Sequence, residues 1–367
     1  MTTSRRAFLE LSGSGMLASA LGVSACGQDA VAQEGGAGGD GVVDVQRTAP
    51  VIDASVPSGS PDRGGEAVGA HLASVAAAGV SCAFVPVATV EHFDAVLRNL
   101  LALHAMAAEA DWDLVRATSQ LSAPPPAGVP PDGNSRLGVV PTFQGLQMVE
   151  QDIGVIRGFR ELGVGVMAIT HNWKNWNGDG CLERTDLPLN GLGRLAVREM
   201  HAAGVLIDLS RAGVRTSLSA IDESGAPVVF THSNARAVHD HPANLTAEQI
   251  DACARRGGVI ALSAFPALVS GRPQPRLDDF LAHLDHLLDR VGPDHLGLGL
   301  DFDDRVRKRY AHDPLPDPPY TFPQGLSTPA DLDNVREALE DRGLSASERE
   351  RLLGGNLARV LSRAWEG

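Results

Sequence analysis

The feature that most constrains this chain is an alternation. From residue 50 onward, eight short runs rich in Val, Ile and Leu are separated by longer segments of helical period. The runs cover 51–54, 80–87, 137–143, 164–170, 205–210, 227–231, 259–264 and 296–300. Continuous apolar runs suit strands buried on both faces, and a parallel sheet covered by helices provides that environment. The helical segments, at 66–78, 92–109, 150–162, 191–203, 214–224, 246–256 and 277–290, are long enough for the crossovers that parallel strands require. Thr246 with Glu248 and Gln249 reads as a helix start, and Gly79, Gly163, Gly204 and Gly292 fall just after helix ends, where a left-handed cap is common. Eight units in about 310 residues predict one domain over 50–367, an α/β chain folded as a (β/α)8 TIM-type barrel.

Ahead of that domain, Ser4-Arg5-Arg6-Ala7-Phe8-Leu9 has the pattern of a twin-arginine export signal, followed by a softly apolar stretch to Ala25. It ends in Val23-Ser24-Ala25-Cys26, a lipoprotein cleavage box with Cys26 as the lipidated first residue. The expectation is a signal peptide over 1–25, a Gly-rich tether over 26–49, and a protein lipid-anchored at the periplasmic or outer face of a bacterial membrane; the alternative is an ordinary secretory signal with an incidental Arg pair. The net charge of −14 argues against nucleic acid as a partner, because phosphate binding needs a basic face. Cys82 lies in an apolar run and reads as packing.

In a barrel of this kind the chemistry sits where strands end at the C-terminal face. Ser55, Gln144, His171, Arg211, His232 and Asp301 stand at or just beyond predicted strand ends. Two His, an Asp, an Arg and a Gln converge on one mouth if the barrel closes.

Thr170-His171-Asn172 with Asn175, Arg198-Glu199-Met200 before Asp208-Leu209-Ser210, Thr231-His232-Ser233-Asn234-Ala235-Arg236, Arg256-Gly257-Gly258, Leu300-Asp301-Phe302-Asp303 and Gly354-Gly355-Asn356 resemble, in order, the motifs of the renal (membrane) dipeptidase family. The resemblance runs from about Pro50 to Leu361. It implies an amidohydrolase-like barrel whose typical members hydrolyse dipeptides with two zinc ions. It also implies His232 as a metal ligand, Asp301 as the carboxylate beside the metals and His171 as a contact to substrate, with Asp301 and His171 the catalytic candidates.

Elsewhere the family's ligand types are replaced. Ser55 and Pro57 stand where a first-strand His-x-Asp pair would be, Gln144 replaces a metal-bridging Glu, and Arg211 replaces a His. Ala243, beside Asn244, replaces an Arg that meets the substrate carboxylate. Neutral Gln144 cannot bridge two dications, and a guanidinium has no lone pair to offer a metal. The expectation is therefore no cofactor, or at most one metal. Without one, water keeps a pKa near 15.7 rather than about 7, so that hydrolytic nucleophile is lost.

Three readings stay open. In the first, a non-catalytic or specialised member binds a small or dipeptide-like ligand in a pocket of Gln144, Asn172, Trp173, Arg211 and Asn244, with Arg211 supplying the positive charge. In the second, a hydrolase uses one metal held by His171, His232 and Asp301. In the third, a lipoprotein uses the barrel as a protein-binding scaffold. Trp173 and Trp176 flank Lys174 and read equally as a pocket wall or a rim loop. His239 and His241 around Asp240 read as a solvated loop, and the long segment after the eighth strand, with its basic run Arg305 to Arg309, reads as a lid.

Overall fold

The computed structural model describes residues 49–57, 61–122, 136–302 and 321–366, with the backbone alone at 61–65. The segment 1–25 read as an export signal, Cys26, the basic run at 305–309 and most of the segment read as a lid therefore lie outside the described residues.

Nine parallel strands are present among them: β1 (Ile52–Asp53), β2 (Cys82–Ala88), β3 (Asp113–Leu114), β4 (Gly138–Phe143), β5 (Val166–Ala168), β6 (Leu206–Asp208), β7 (Val229–Phe230), β8 (Val259–Leu262) and β9 (Leu296–Leu298). Eight close into a ring: β1 pairs with β2, β2 with β4, then β5 to β9 follow in order, and β9 returns to β1 through Asp53 opposite Leu298. These eight are the eight apolar runs of the sequence. The ninth strand, β3, was not expected; it lies against the start of β4, where β5 does not reach.

Strand residues are buried throughout β2 and β4, as expected for strands that have core on one side and helices on the other. Seven helices match the predicted segments: α1 (Pro61–Ala77), α2 (Phe93–Glu109), α3 (Val155–Glu161), α4 (Gly191–Ala202), α5 (Val214–Glu223), α6 (Ala247–Arg255) and, after the short α7 (Pro266–Val269), α8 (Leu277–Val291). Thr246 caps α6: its hydroxyl accepts from Gln249 N while Gln249 Oε1 accepts from Thr246 N. The four predicted cap glycines all have positive φ.

Among the described residues, three further α-helices, α9 (Leu332–Asp341), α10 (Ala346–Glu350) and α11 (Asn356–Trp365), follow the last strand. In α11, Leu357, Val360, Leu361 and Ala364 form one buried stripe at i, i+3, i+4 and i+7. That stripe belongs to one buried cluster with Ile52, Val140, Val166, Leu206, Val229 and Val259, and α11 packs against β6, β8 and β9. Opposite, the site end depends on a close backbone approach: a Cβ at Gly299 would sit 1.7 Å from Thr231 O, so only glycine lets β9 pass the end of β7 on its way to Asp301.

Candidate functional site

Ser55, Gln144, His171, Arg211, His232 and Asp301 each stand just beyond the end of a ring strand, and three of the predicted site residues hold unusual backbone. Asn172 (φ 62°), Arg211 (φ 62°) and Asp301 (φ 60°) are left-handed, a conformation disfavoured for residues with a Cβ and least so for Asn and Asp. At Arg211 neither excuse applies. Strain of this kind persists where surrounding structure fixes it and gathers at functional sites.

The first and last ring strands are tied through carboxylates. Asp53 Oδ1 accepts from Ser55 N at 3.1 Å and Leu300 N at 2.9 Å, which joins the ends of β1 and β9. Burial pushes the Asp53 carboxyl up to about 7, against those two hydrogen bonds and with help from the nearby Asp301 charge. The Ser55 hydroxyl donates to Asp301 Oδ1 at 3.1 Å, and Asp301 N donates to Ser55 O at 2.9 Å. Ser55 is thus a clamp on Asp301.

Arg211, 7% exposed, brings its Nη2 to 3.8 Å from Asp301 Oδ2, a salt-bridge distance. That separation exceeds the 2.7–2.9 Å of a charge-assisted hydrogen bond, so the attraction is coulombic. The guanidinium lies over the Phe265 ring at 5.6 Å, a cation–π contact. Gln144 faces another partner: its Oε1 accepts from the Thr89 hydroxyl at 3.1 Å.

The two histidines stand close, with ring centroids 6.5 Å apart. Burial, and after it the Arg211 charge, lowers His171 to about 3 and holds His232 well below its usual value, so both imidazoles are neutral at physiological pH. Behind His232 runs a polar chain. Its Nδ1 lies 2.8 Å from Thr231 Oγ1, which donates to Asp208 Oδ2 at 2.6 Å; Asp208 Oδ1 also accepts from Ser210 N and Thr231 N. Among the described residues, His232 Nε2 is buried with no hydrogen-bond partner.

The loop residues turn in different directions. Asn244 is buried, but its amide donates to His239 O and Leu268 O, so it ties two loops together. Trp173 is 42% and Trp176 56% exposed, which places them on the rim, with Lys174 Nζ 3.2 Å from Asp179. His239 and His241 are half-buried rather than solvated: His239 Nε2 lies 3.1 Å from Ala267 O and His241 Nδ1 accepts from Ala243 N, and burial drives His241 to about 3. Cys82 and Cys253 are buried free thiols, and the Cys181 thiol donates to Asn172 Oδ1 at 3.6 Å. Sequence reasoning missed Phe265, Thr89 and the Asp208–Thr231 relay. Phe265 carries no sequence signal distinct from core, whereas Asp208 and Thr231 belong to motifs already singled out. Among the described residues, no group of three His, Cys, Asp or Glu side chains is arranged to hold a metal ion, so His171, His232 and Asp301 do not form such a group.

Residues 66–366 match the model of the membrane dipeptidase family, Peptidase family M19. An uncharacterised dipeptidase of Schizosaccharomyces pombe is 32% identical over 59% of the chain, and dipeptidase tcpJ of Claviceps purpurea is 32% identical over the same share. The matches span 51% and 49% of those proteins, about half their length. Among solved structures, an amidohydrolase from Pseudomonas aeruginosa superposes with a TM-score of 0.75 at 26% identity, covering 87% of this chain and 97% of that one. A metallopeptidase from Rhodobacter sphaeroides, liganded with a phosphinate mimic of the dipeptide L-Ala-D-Ala, has a TM-score of 0.72 at 20% identity over 87% of this chain and 100% of that one.

Proposed function

The chain belongs to the membrane dipeptidase family, and on that premise we propose that it binds a small, dipeptide-like ligand at the barrel mouth without the family's two-metal hydrolytic centre. The observation that carries this reading is Arg211 Nη2 at 3.8 Å from Asp301 Oδ2. A permanent cation stands beside the one family carboxylate retained here, where a dication would meet electrostatic repulsion. The donors present do not fit two zinc ions: Gln144 is neutral and engaged by Thr89, Ser55 is a hydroxyl spent on Asp301, and Arg211 offers no lone pair.

What the residues do instead is hold charge and exclude water. Arg211 supplies the positive field that a metal pair would have supplied, and it neutralises Asp301 in a buried setting. Neutral His171 and His232 wall the same space. A second reading has one observation in its favour, since the unpartnered His232 Nε2 is a nitrogen a single metal would accept. For location we propose that residues 1–25 direct export and that Cys26 carries a lipid.

The test is thermal melting of the full chain in chelator with millimolar alanyl-alanine of each stereochemistry. A ligand that binds the native state raises the melting temperature as its concentration passes Kd, and a concentration-dependent rise is expected. No rise with any stereoisomer in chelator, with a rise once zinc is supplied, would transfer support to the single-metal reading.

A further inference from the structure

Among the described residues, Arg211 Nε and His232 Nε2 are buried at the mouth and have no hydrogen-bond partner. A buried polar group left unsatisfied is costly, so two at neighbouring strand ends mark a place that a ligand completes. β6 and β7, which lead to them, are paired through Asp208 and Val229, and the Arg211 charge acts on the His232 ring.

The two nitrogens ask for opposite partners. Arg211 Nε–H only donates. His232 is fixed by the chain behind it. Three donors converge on Asp208, among them the Thr231 hydroxyl, so that hydroxyl's single proton is committed. Thr231 Oγ1 must then accept the proton of His232 Nδ1, and Nε2 presents a lone pair. A carboxylic acid lacking an amine satisfies Arg211 and leaves His232 unmet. An amine lacking a carboxylate does the reverse.

The wall beside them is apolar. Phe265 lies under the guanidinium and stacks edgewise on Phe322 at 6.4 Å, which meets Phe302 at 5.3 Å, and Leu268 is clustered with Phe265. The 3.8 Å spacing of Arg211 and Asp301 leaves the guanidinium hydrogen-bonding capacity for a second carboxylate.

We infer that the barrel mouth is a site for a free α-amino acid with an apolar side chain. Its carboxylate takes Arg211, its ammonium lies between His232 Nε2 and Asp301, and its side chain packs on the Phe265 wall. This rests on the reading that Arg211 has taken the place of the metals.

Isothermal titration of the full chain in chelator, with L- and D-leucine, leucine methyl ester and 4-methylpentanoate, tests it. At least one leucine enantiomer should bind with single-site stoichiometry, and the ester and the desamino acid should each bind at least tenfold more weakly. Arg211→Lys, which keeps the charge but removes Nε–H and the planar fork, should lose at least tenfold. If that variant fails to fold, Arg211→Met combined with Asp301→Asn removes both charges together and should abolish leucine binding. Equal affinity for leucine and its ester, or no binding of either enantiomer, overturns the inference. If leucine fails while alanyl-alanine still raises the melting temperature, the amino-acid assignment falls and the metal-free pocket stands. Stoichiometric zinc on the chain would instead remove the pocket reading itself.

Discussion

Replacing Arg211 by Met isolates the contribution of the charge pair. Methionine keeps an unbranched stem of similar reach and keeps a Cβ, so the left-handed backbone at φ 62° is strained equally before and after. What changes is the field at Asp301. Two unit charges 3.8 Å apart interact by about 4 kcal/mol at an effective dielectric of about 20, a value suited to sites as enclosed as these. Breaking a buried pair by removing one partner costs about 3–5 kcal/mol, the same range, because it strands the remaining charge. Asp301→Asn should cost a similar amount by stranding Arg211, while asparagine tolerates φ 60° well. The double variant has no stranded charge, so it should be more stable than the sum of the single losses implies. Urea unfolding of the four proteins measures the coupling, with unchanged m-values as the check on two-state behaviour. The expected coupling is about 2–4 kcal/mol. A coupling below about 0.5 kcal/mol would refute the argument, since it would mean that the two groups do not neutralise each other in the folded protein.

Asp53 sets a pH dependence with a definite sign. Its folded value of about 7 lies above an unfolded value near 3.8, so the folded state holds the proton longer, and its contribution falls as pH rises from about 4 to 7. Asp53→Asn keeps the acceptor for Ser55 N and Leu300 N and should flatten that slope, gaining up to about 4 kcal/mol relative to the parent between pH 4 and 8 in chemical denaturation; identical slopes in both proteins would refute it. For export, changing Arg5 and Arg6 to Lys should leave the precursor in the cytoplasm, and Cys26→Ala should still allow export while abolishing metabolic labelling by palmitate; full export of the Lys pair would assign the general secretory route.

The barrel was legible because its signal is repeated. Eight buried strands must each be apolar on both faces, and the helices between them must be long enough to cross over, so the pattern survives uncertainty at any one element. β3 was not legible because two residues, Asp113 and Leu114, carry no period. α11 was overlooked for a different reason: no strand follows it, so the alternation did not point to it despite its clean apolar stripe. At the site, strand-end reasoning brought Arg211 and Asp301 to one barrel mouth, where they lie 3.8 Å apart. It could not find Phe265, since an aromatic ring under a guanidinium looks in sequence like any other core residue. It left the directions of Asn244 and Trp173 open, because a position in a loop after a strand fixes the neighbourhood of a side chain but not its direction; the Asn244 amide donates to His239 O and Leu268 O, and Trp173 is 42% exposed.

The central claim is that the charge pair of Arg211 and Asp301 stands where the family's metals would be. Elemental analysis of the purified mature protein, with a dipeptide hydrolysis panel run before and after zinc addition, tests it most directly. The account predicts less than one tightly held zinc per chain and negligible hydrolysis in both conditions. Stoichiometric zinc together with robust hydrolysis that chelators abolish would contradict it.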